Sequence, residues 1–195
     1  MRKKIAAFVL SALVMAPVFA GDSLQFRGNH RDGKFDETGL LKSWPEAGPS
    51  VDWVIKGIGA GYSSVLVDRG KIYVTGTLQD QDSFVFILNM EGKEIGRIPY
   101  GKETTAEAAP GARCTPTIVG DRMYLLSGLG ILSAIDLSQS KILWQVNILE
   151  RFQAPNNEWH LAEALLVDGD RVICTPGGAD AAMVALNKDT GIRSG

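Results

Sequence analysis

One module recurs three times along this chain, and the recurrence limits what the chain can fold into. The module is clearest in residues 115–144, TPTIVGDRMYLLSGLGILSAIDLSQSKILW. Four runs rich in Val, Ile, Leu and Tyr (Thr115–Val119, Arg122–Ser127, Ile131–Asp136 and Lys141–Ile148) are separated by Gly120-Asp121, Gly128-Leu129-Gly130 and Ser138-Gln139-Ser140. Short β-branched and aromatic runs punctuated by Gly, Asp and Ser predict an antiparallel meander. Ser64–Ile98 and Ala164–Gly195 repeat the pattern. Tyr73, Tyr124 and Ile173 recur in the second strands at intervals of 51 and 49 residues, and Asn89, Asp136 and Asn187 end the third strands at intervals of 47 and 51. Each Asx residue opens the turn to a fourth strand by bonding its own downstream backbone, and Gly92 and Gly191 accept the left-handed position there.

A four-stranded sheet of this size cannot bury both of its faces alone and needs copies of itself as neighbours. Four strands in a repeat of about 50 residues indicate a β-propeller blade. The expected fold is all-β: a β-propeller of four-stranded antiparallel blades, incomplete within this chain. Blades are expected over 63–100, 114–148 and 162–195, the last cut off near its fourth strand. Val51–Lys56 reads as an isolated strand that completes a further blade from outside. Trp53 then matches Trp144, each packing a broad ring between adjacent blades. Closed propellers have typically four to eight blades, so the sequence reads as the N-terminal part of a longer protein.

The first 20 residues carry a different signal. Arg2-Lys3-Lys4 precedes the apolar run Ile5–Met15, and Val18-Phe19-Ala20 offers a cleavage site after Ala20. This is the pattern of a cleaved secretory leader, and the apolar run is short for a membrane span. The expected location is the periplasm or the cell exterior, with no stable membrane anchor after cleavage. Loss of the three leader cations takes the formal net charge from −2 to about −5. A mildly acidic chain is a poor general nucleic-acid binder, so no nucleic-acid partner is expected. Gly21–Ser50, rich in Gly, Pro and charge, is expected to wrap over the propeller surface. Its Asp32…Asp36-Glu37 cluster lacks the alternating pattern of a calcium loop and reads as a solvated turn.

The repeat also resembles a known family. Ala134-Ile135-Asp136…Lys141-Ile142-Leu143-Trp144 is similar to the repeat of the pyrroloquinoline-quinone (PQQ)-like propellers: Ala, any, Asp, two any, Thr, Gly, Lys, two any, Trp. Ala185-Leu186-Asn187-Lys188-Asp189-Thr190-Gly191 carries the first half of that motif. Gln139-Ser140 departs from Thr-Gly, and the first module has Ile87-Leu88-Asn89 and no Trp. Gln25-Phe26-Arg27-Gly28-Asn29…Arg31-Asp32-Gly33…Glu37-Thr38-Gly39-Leu40-Leu41-Lys42-Ser43-Trp44-Pro45 resembles the N-terminal segment of secreted bacterial members. Gly21, not Cys, stands directly after Ala20, which sets the chain apart from the lipoprotein propellers that help assemble outer-membrane proteins.

Binding sites of such folds lie on long loops held by the rigid blades. The blade-to-blade connectors Gly57–Tyr62, Gly101–Arg113 and Leu149–Leu161 are long, and they are expected to gather on one face. The glycines of the first connector mark a tight backbone passage rather than a phosphate loop, because no strand-loop-helix context surrounds them. Arg113, Trp159, His160 and Glu163 are expected to ring the channel mouth: a cation, an aromatic, an imidazole and a carboxylate suited to a polar ligand. The competing reading is an Arg113–Glu163 pair tying two blades together with Trp159 as a plug. No catalytic triad and no metal-ligand spacing is visible; an oxidising compartment allows a disulfide between Cys114 and Cys174, but they fall in non-matching strands, which favours two buried free thiols.

Two functions fit. The first is a non-catalytic periplasmic or secreted scaffold that binds a protein, peptide or glycan at its long-loop face, with no cofactor. The alternative, which the resemblance implies, is a PQQ-dependent alcohol or sugar dehydrogenase, or a part of one, holding the quinone with calcium in the channel. Such enzymes use a channel Asp as base, and many stack the quinone on a disulfide of adjacent cysteines. The chain has no adjacent Cys pair, and Ser64–Val67, Thr115–Val119 and Ala164–Val167 carry no central Asp. The orienting groups that a quinone needs from its protein are missing from these strands, which favours the scaffold.

Overall fold

A computed structural model describes residues 21–35, 37–105 and 109–194. The leader expected over residues 1–20 lies outside the described residues, as do Asp36 and Gly195. The described chain forms three antiparallel sheets, each in simple up-and-down order. The first comprises β1 (Leu66–Asp68), β2 (Lys71–Thr77), β3 (Asp82–Asn89) and β4 (Glu94–Lys102). The second comprises β5 (Thr117–Val119), β6 (Arg122–Leu126), β7 (Ile131–Asp136) and β8 (Lys141–Asn147). The third comprises β9 (Leu166–Asp168), β10 (Arg171–Cys174) and β11 (Val184–Asn187).

The spacing read from the sequence is the register of the sheets. Tyr73 lies opposite Leu66, Tyr124 opposite Thr117 and Ile173 opposite Leu166, so the three residues occupy one position in three copies of a blade. Beyond β11 the chain turns at Asn187, whose side chain caps the turn, and Arg193 pairs back with Leu186 to begin a fourth strand.

Alternation along the central strands builds the core. Val85 and Ile87 face the second blade, where they join Met123, Tyr124, Leu132 and Ile135 in a cluster that continues to Val172, Val184 and Leu186 of the third. Phe86 and Leu88 point the other way, and with Ile72 and Val74 they pack against Ile55 and Ile58. Both faces of the first blade are thus buried, as period-two side-chain geometry requires of an interior sheet.

Residues 51–56 form no ladder, contrary to the strand expected there. No described strand pairs with them. Their Trp53 nevertheless docks on the first blade while staying 42% exposed. A Cβ at Gly92 would lie 2.5 Å from the Trp53 ring, and one at Gly191 would lie 2.7 Å from the Trp144 ring. Each indole therefore rests on the left-handed glycine of the next blade, and Trp144 also donates through Nε1 to the Lys188 carbonyl (3.1 Å).

Two further segments differ from expectation. The fourth strand of the second blade stops at Asn147, one residue early, because Asn147 Oδ1 accepts from the Leu149 and Glu150 amides and caps a one-turn helix, α1 (Ile148–Arg151). The start of the N-terminal segment does not lie over the outer surface. It runs along the innermost strands: Ser23 exchanges two backbone bonds with Val67 (2.8 and 3.1 Å), and the Ile118 amide donates to the Leu24 carbonyl (2.7 Å). Inner strands of three residues leave unpaired edges, and this segment satisfies two of them. Leu40, Leu41 and Trp44, farther along, are exposed.

Candidate functional site

The glycine-rich connector is a close backbone crossing, as its sequence implied. Ala60 exchanges two backbone bonds with Thr77 (2.9 Å each), and a Cβ at Gly59 would lie 2.1 Å from the Thr77 carbonyl oxygen. The Tyr62 amide donates to the Ala112 carbonyl (2.7 Å), which brings the first connector against the second. The second and third connectors and the β6–β7 turn meet at the same end of the blades. There the Leu161 amide (3.2 Å) and the Asn156 side chain (3.1 Å) both donate to the Gly128 carbonyl.

The four residues proposed from sequence divide between two neighbourhoods. Arg113, Trp159 and His160 come together. The Arg113 guanidinium donates to the Trp159 carbonyl and, through Nη2, to that of Ala109 (2.6 Å). The His160 ring nitrogen Nδ1 lies 3.0 Å from the Asn156 amide, and His160 adopts a left-handed conformation, φ 60°. The Trp159 amide donates to Asn157 Oδ1 (2.8 Å), yet its side chain is 66% exposed. Trp159 is therefore an exposed ring on a pinned loop and not a plug.

Glu163 turns elsewhere. Its Oε2 accepts from the Thr175 amide (3.0 Å) and hydroxyl (2.7 Å) within the third blade. No ion pair joins Arg113 to Glu163 among the described residues.

The carboxylate that does lie beneath this face is Glu103, which the sequence reading passed over. Glu103 is 1% exposed and follows β4 directly. Its Oε1 accepts from the Tyr100 hydroxyl (3.1 Å) and its Oε2 from the Gly128 amide (2.8 Å), which ties the first blade to the β6–β7 turn of the second. Burial pushes its pKa up to about 7, against the pull of these hydrogen bonds and of the nearby Arg113 charge. The Cys114 thiol beside it is pushed up by burial and by the Glu103 charge, and it donates to the Leu161 carbonyl (3.7 Å). Cys174 is pushed up to about 12 by burial and then by Glu163. Both cysteines are free and buried. A thiol held protonated is neither a nucleophile nor a metal ligand.

Where the three inner strands begin, a cleft of about 360 Å³ opens between Tyr62, Arg113, Thr115 and Ala164, with Phe26 and Arg31 of the N-terminal segment as its other wall. Arg31, left-handed at φ 58°, donates to the Ala164 (3.4 Å) and Leu165 (2.6 Å) carbonyls. Neither arginine has a carboxylate in contact among the described residues, and burial lowers the Arg31 pKa. A quinone site with calcium would need a cluster of acidic or amide ligands. Among the described residues, no group of three His, Cys, Asp or Glu could hold a metal ion, and the two cysteines lie in different blades. These residues do not fit such a site.

Comparison with known proteins bears on the fold and the family. A family model described as "Outer membrane protein assembly factor BamB" matches residues 81–194. No curated protein matches the sequence. Among solved structures, a europium-containing methanol dehydrogenase aligns with TM-score 0.52 and 16% identity, over 70% of this chain and 24% of its own. The quinohemoprotein alcohol dehydrogenase ADHIIG of Pseudomonas putida HK5 aligns with TM-score 0.51 and 18% identity, over 71% and 20%. BamB of Moraxella catarrhalis aligns with TM-score 0.40 and 16% identity, over 73% and 50%. The chain thus spans a quarter or less of the dehydrogenase chains it matches, and that likeness is one of fold.

Proposed function

This chain belongs to the family described as outer membrane protein assembly factor BamB, and from that premise we propose that it is a non-catalytic periplasmic scaffold that binds a protein partner at its long-connector face. A partner engaged in outer-membrane protein assembly is the one that the family description points to. The observation that carries the reading is Trp159: a large aromatic ring two-thirds exposed, on a loop pinned by Arg113 and Asn157. An exposed ring on a prepaid, ordered loop is the residue type and setting that dominates binding energy in protein interfaces. Arg113 and His160 hold that loop. Glu163 serves the third blade and drops out of the interface. The basic, apolar leader-like segment before Gly21 supports the periplasmic location. Among the described residues, no helix is long and apolar enough to cross a membrane. The absence of a Cys directly after Ala20 is no bar to membership of this family, which rests on the blades.

A photo-crosslinking residue at position 159 is expected to trap an outer-membrane assembly component, or an outer-membrane protein precursor, in growing cells. The same residue at Ile95, exposed on β4 away from the connectors, is expected to trap neither. Trp159→Ala should reduce co-purification of the trapped partner at least fivefold with the melting temperature unchanged. Equal trapping at both positions would remove the reading. A thermal shift with PQQ and calcium, together with turnover of an alcohol or sugar against an electron-acceptor dye, would replace it with the dehydrogenase.

A further inference from the structure

We infer that the cleft between Arg31 and Arg113 is a carboxylate site, and that it takes the C-terminal carboxylate of a peptide entering end-on at the axis. The inference deepens the scaffold reading by naming a ligand chemistry for the face that carries Trp159.

Three features of the cleft lead there. The first is uncompensated charge. Each guanidinium has five N–H donors in a planar fork, and backbone carbonyls take two contacts from Arg31 and two from Arg113. Neutral carbonyls fix the forks in place without cancelling their charge. The Arg113 Nε is buried without an acceptor, and no described carboxylate contacts either arginine. Glu103 acts on Arg113 through space but spends its oxygens on Tyr100 and Gly128. Two cations held partly buried, with no carboxylate in contact among the described residues, are costly unless an anion joins them, and a planar carboxylate matches the fork.

The second feature is the wall. Phe26 and Tyr62 are 46% and 63% exposed and flank the arginines, so the ligand carries an apolar group next to its anion. An inorganic anion makes no use of those rings, and a strongly polar sugar acid makes little.

The third feature is size and position. About 360 Å³ lies at the low end of the range for small-ligand clefts. A cleft of that size suits one chain end. One wall, the N-terminal segment, is fastened to β1 and β5 by backbone bonds, so the site is preformed.

The test uses the purified chain and a fluorescein-labelled tetrapeptide ending in phenylalanine, as the free acid and as the C-terminal amide, read by fluorescence anisotropy at low and high salt. The free acid is expected to bind at least tenfold tighter than the amide, with the difference shrinking as salt rises. Arg113→Gln and Arg31→Gln are each expected to weaken the free acid at least fivefold and to leave the amide unchanged. The acid–amide comparison on the wild type needs no variant, so a misfolded substitution does not shield the inference. Equal binding of acid and amide overturns it. So does competition by 3-phenylpropionate at equal affinity, which would assign the cleft to a free small acid. Loss of the acid preference with Trp159-dependent trapping intact sinks the cleft alone. Loss of Trp159 dependence with the acid preference intact sinks the scaffold reading alone.

Discussion

At the scale of single residues, the telling case is a charge hidden from the sequence. Glu103 follows a strand directly and lies in a connector, a setting in which a glutamate is ordinarily solvated. Only the arrival of the β6–β7 turn from the next blade buries it. Its pKa of about 7, above the ordinary 4.5, makes stability depend on pH. Below pH 4.5 the carboxyl is protonated in both folded and unfolded chains, and its stabilisation is fully present. Between 4.5 and 7 the unfolded chain releases the proton while the folded chain keeps it, so stability falls as pH rises and levels off above about 7. The loss is on the order of 3 kcal/mol. Urea denaturation at pH 5 and pH 8 should show it, and Glu103→Gln should abolish the difference. A wild type equally stable at both values would contradict the buried position. Arg113 was legible as a candidate because it closes a long connector. Arg31 was not, because nothing in Arg31-Asp32-Gly33 reveals that its side chain reaches Ala164, 133 residues away.

At the scale of elements, the strands of the second blade were legible in the sequence to within two residues at each end. Ile131–Asp136 forms β7 with both ends as read, and the Asx turns appear at Asn89, Asp136 and Asn187, with a left-handed glycine at the first and third. The reason is local: period-two alternation and turn chemistry act within a few residues. The early end of β8 was legible too, in the pair Asn147 and Glu150 at capping-box spacing, but a β-rich run masked it. Packing between elements gives a sharper test. Gly191 is left-handed at φ 69° and has the Trp144 indole against it. Gly191→Ala adds backbone strain and a clash, and is expected to cost about 2–4 kcal/mol in denaturant titration. Gly92 faces Trp53 in the same way. The second blade has Ser140 at the matching turn position, left-handed at φ 51°, and the first blade has Gly96 where the indole would stand, opposite Ile87 as Trp144 stands opposite Ala134. The indole and its glycine are lost together. A melting curve unchanged in Gly191→Ala would disprove the docking.

At the scale of the whole molecule, the N-terminal segment does structural work that no single blade can do. It bonds to β1 and β5 and reaches β9 through Arg31, so one strap spans three blades along their inner edges. Deleting residues 21–33 should leave those edges open. Light scattering after gel filtration is expected to show self-association of the shortened chain, with a lower melting temperature, since unpaired edges recruit other chains. A monomeric product melting where the parent does would show that the edges need no cover. Ionic contacts across the blade boundaries, such as Arg69 with Asp121 (2.5 Å) and Arg122 with Asp189, lie on the surface and add little by comparison.

What the sequence determined by itself is the module: its strands, its turns, its register and the fact that it must stack on its own copies. Those follow from alternation and backbone preference, which are properties of neighbours along the chain. Only the tertiary structure decided which connector carbonyls hold Arg113, why Glu163 turns to the third blade, how Glu103 comes to be buried and how Arg31 reaches Ala164 and Leu165. Those depend on groups far apart in sequence, brought together by blades stacking side by side.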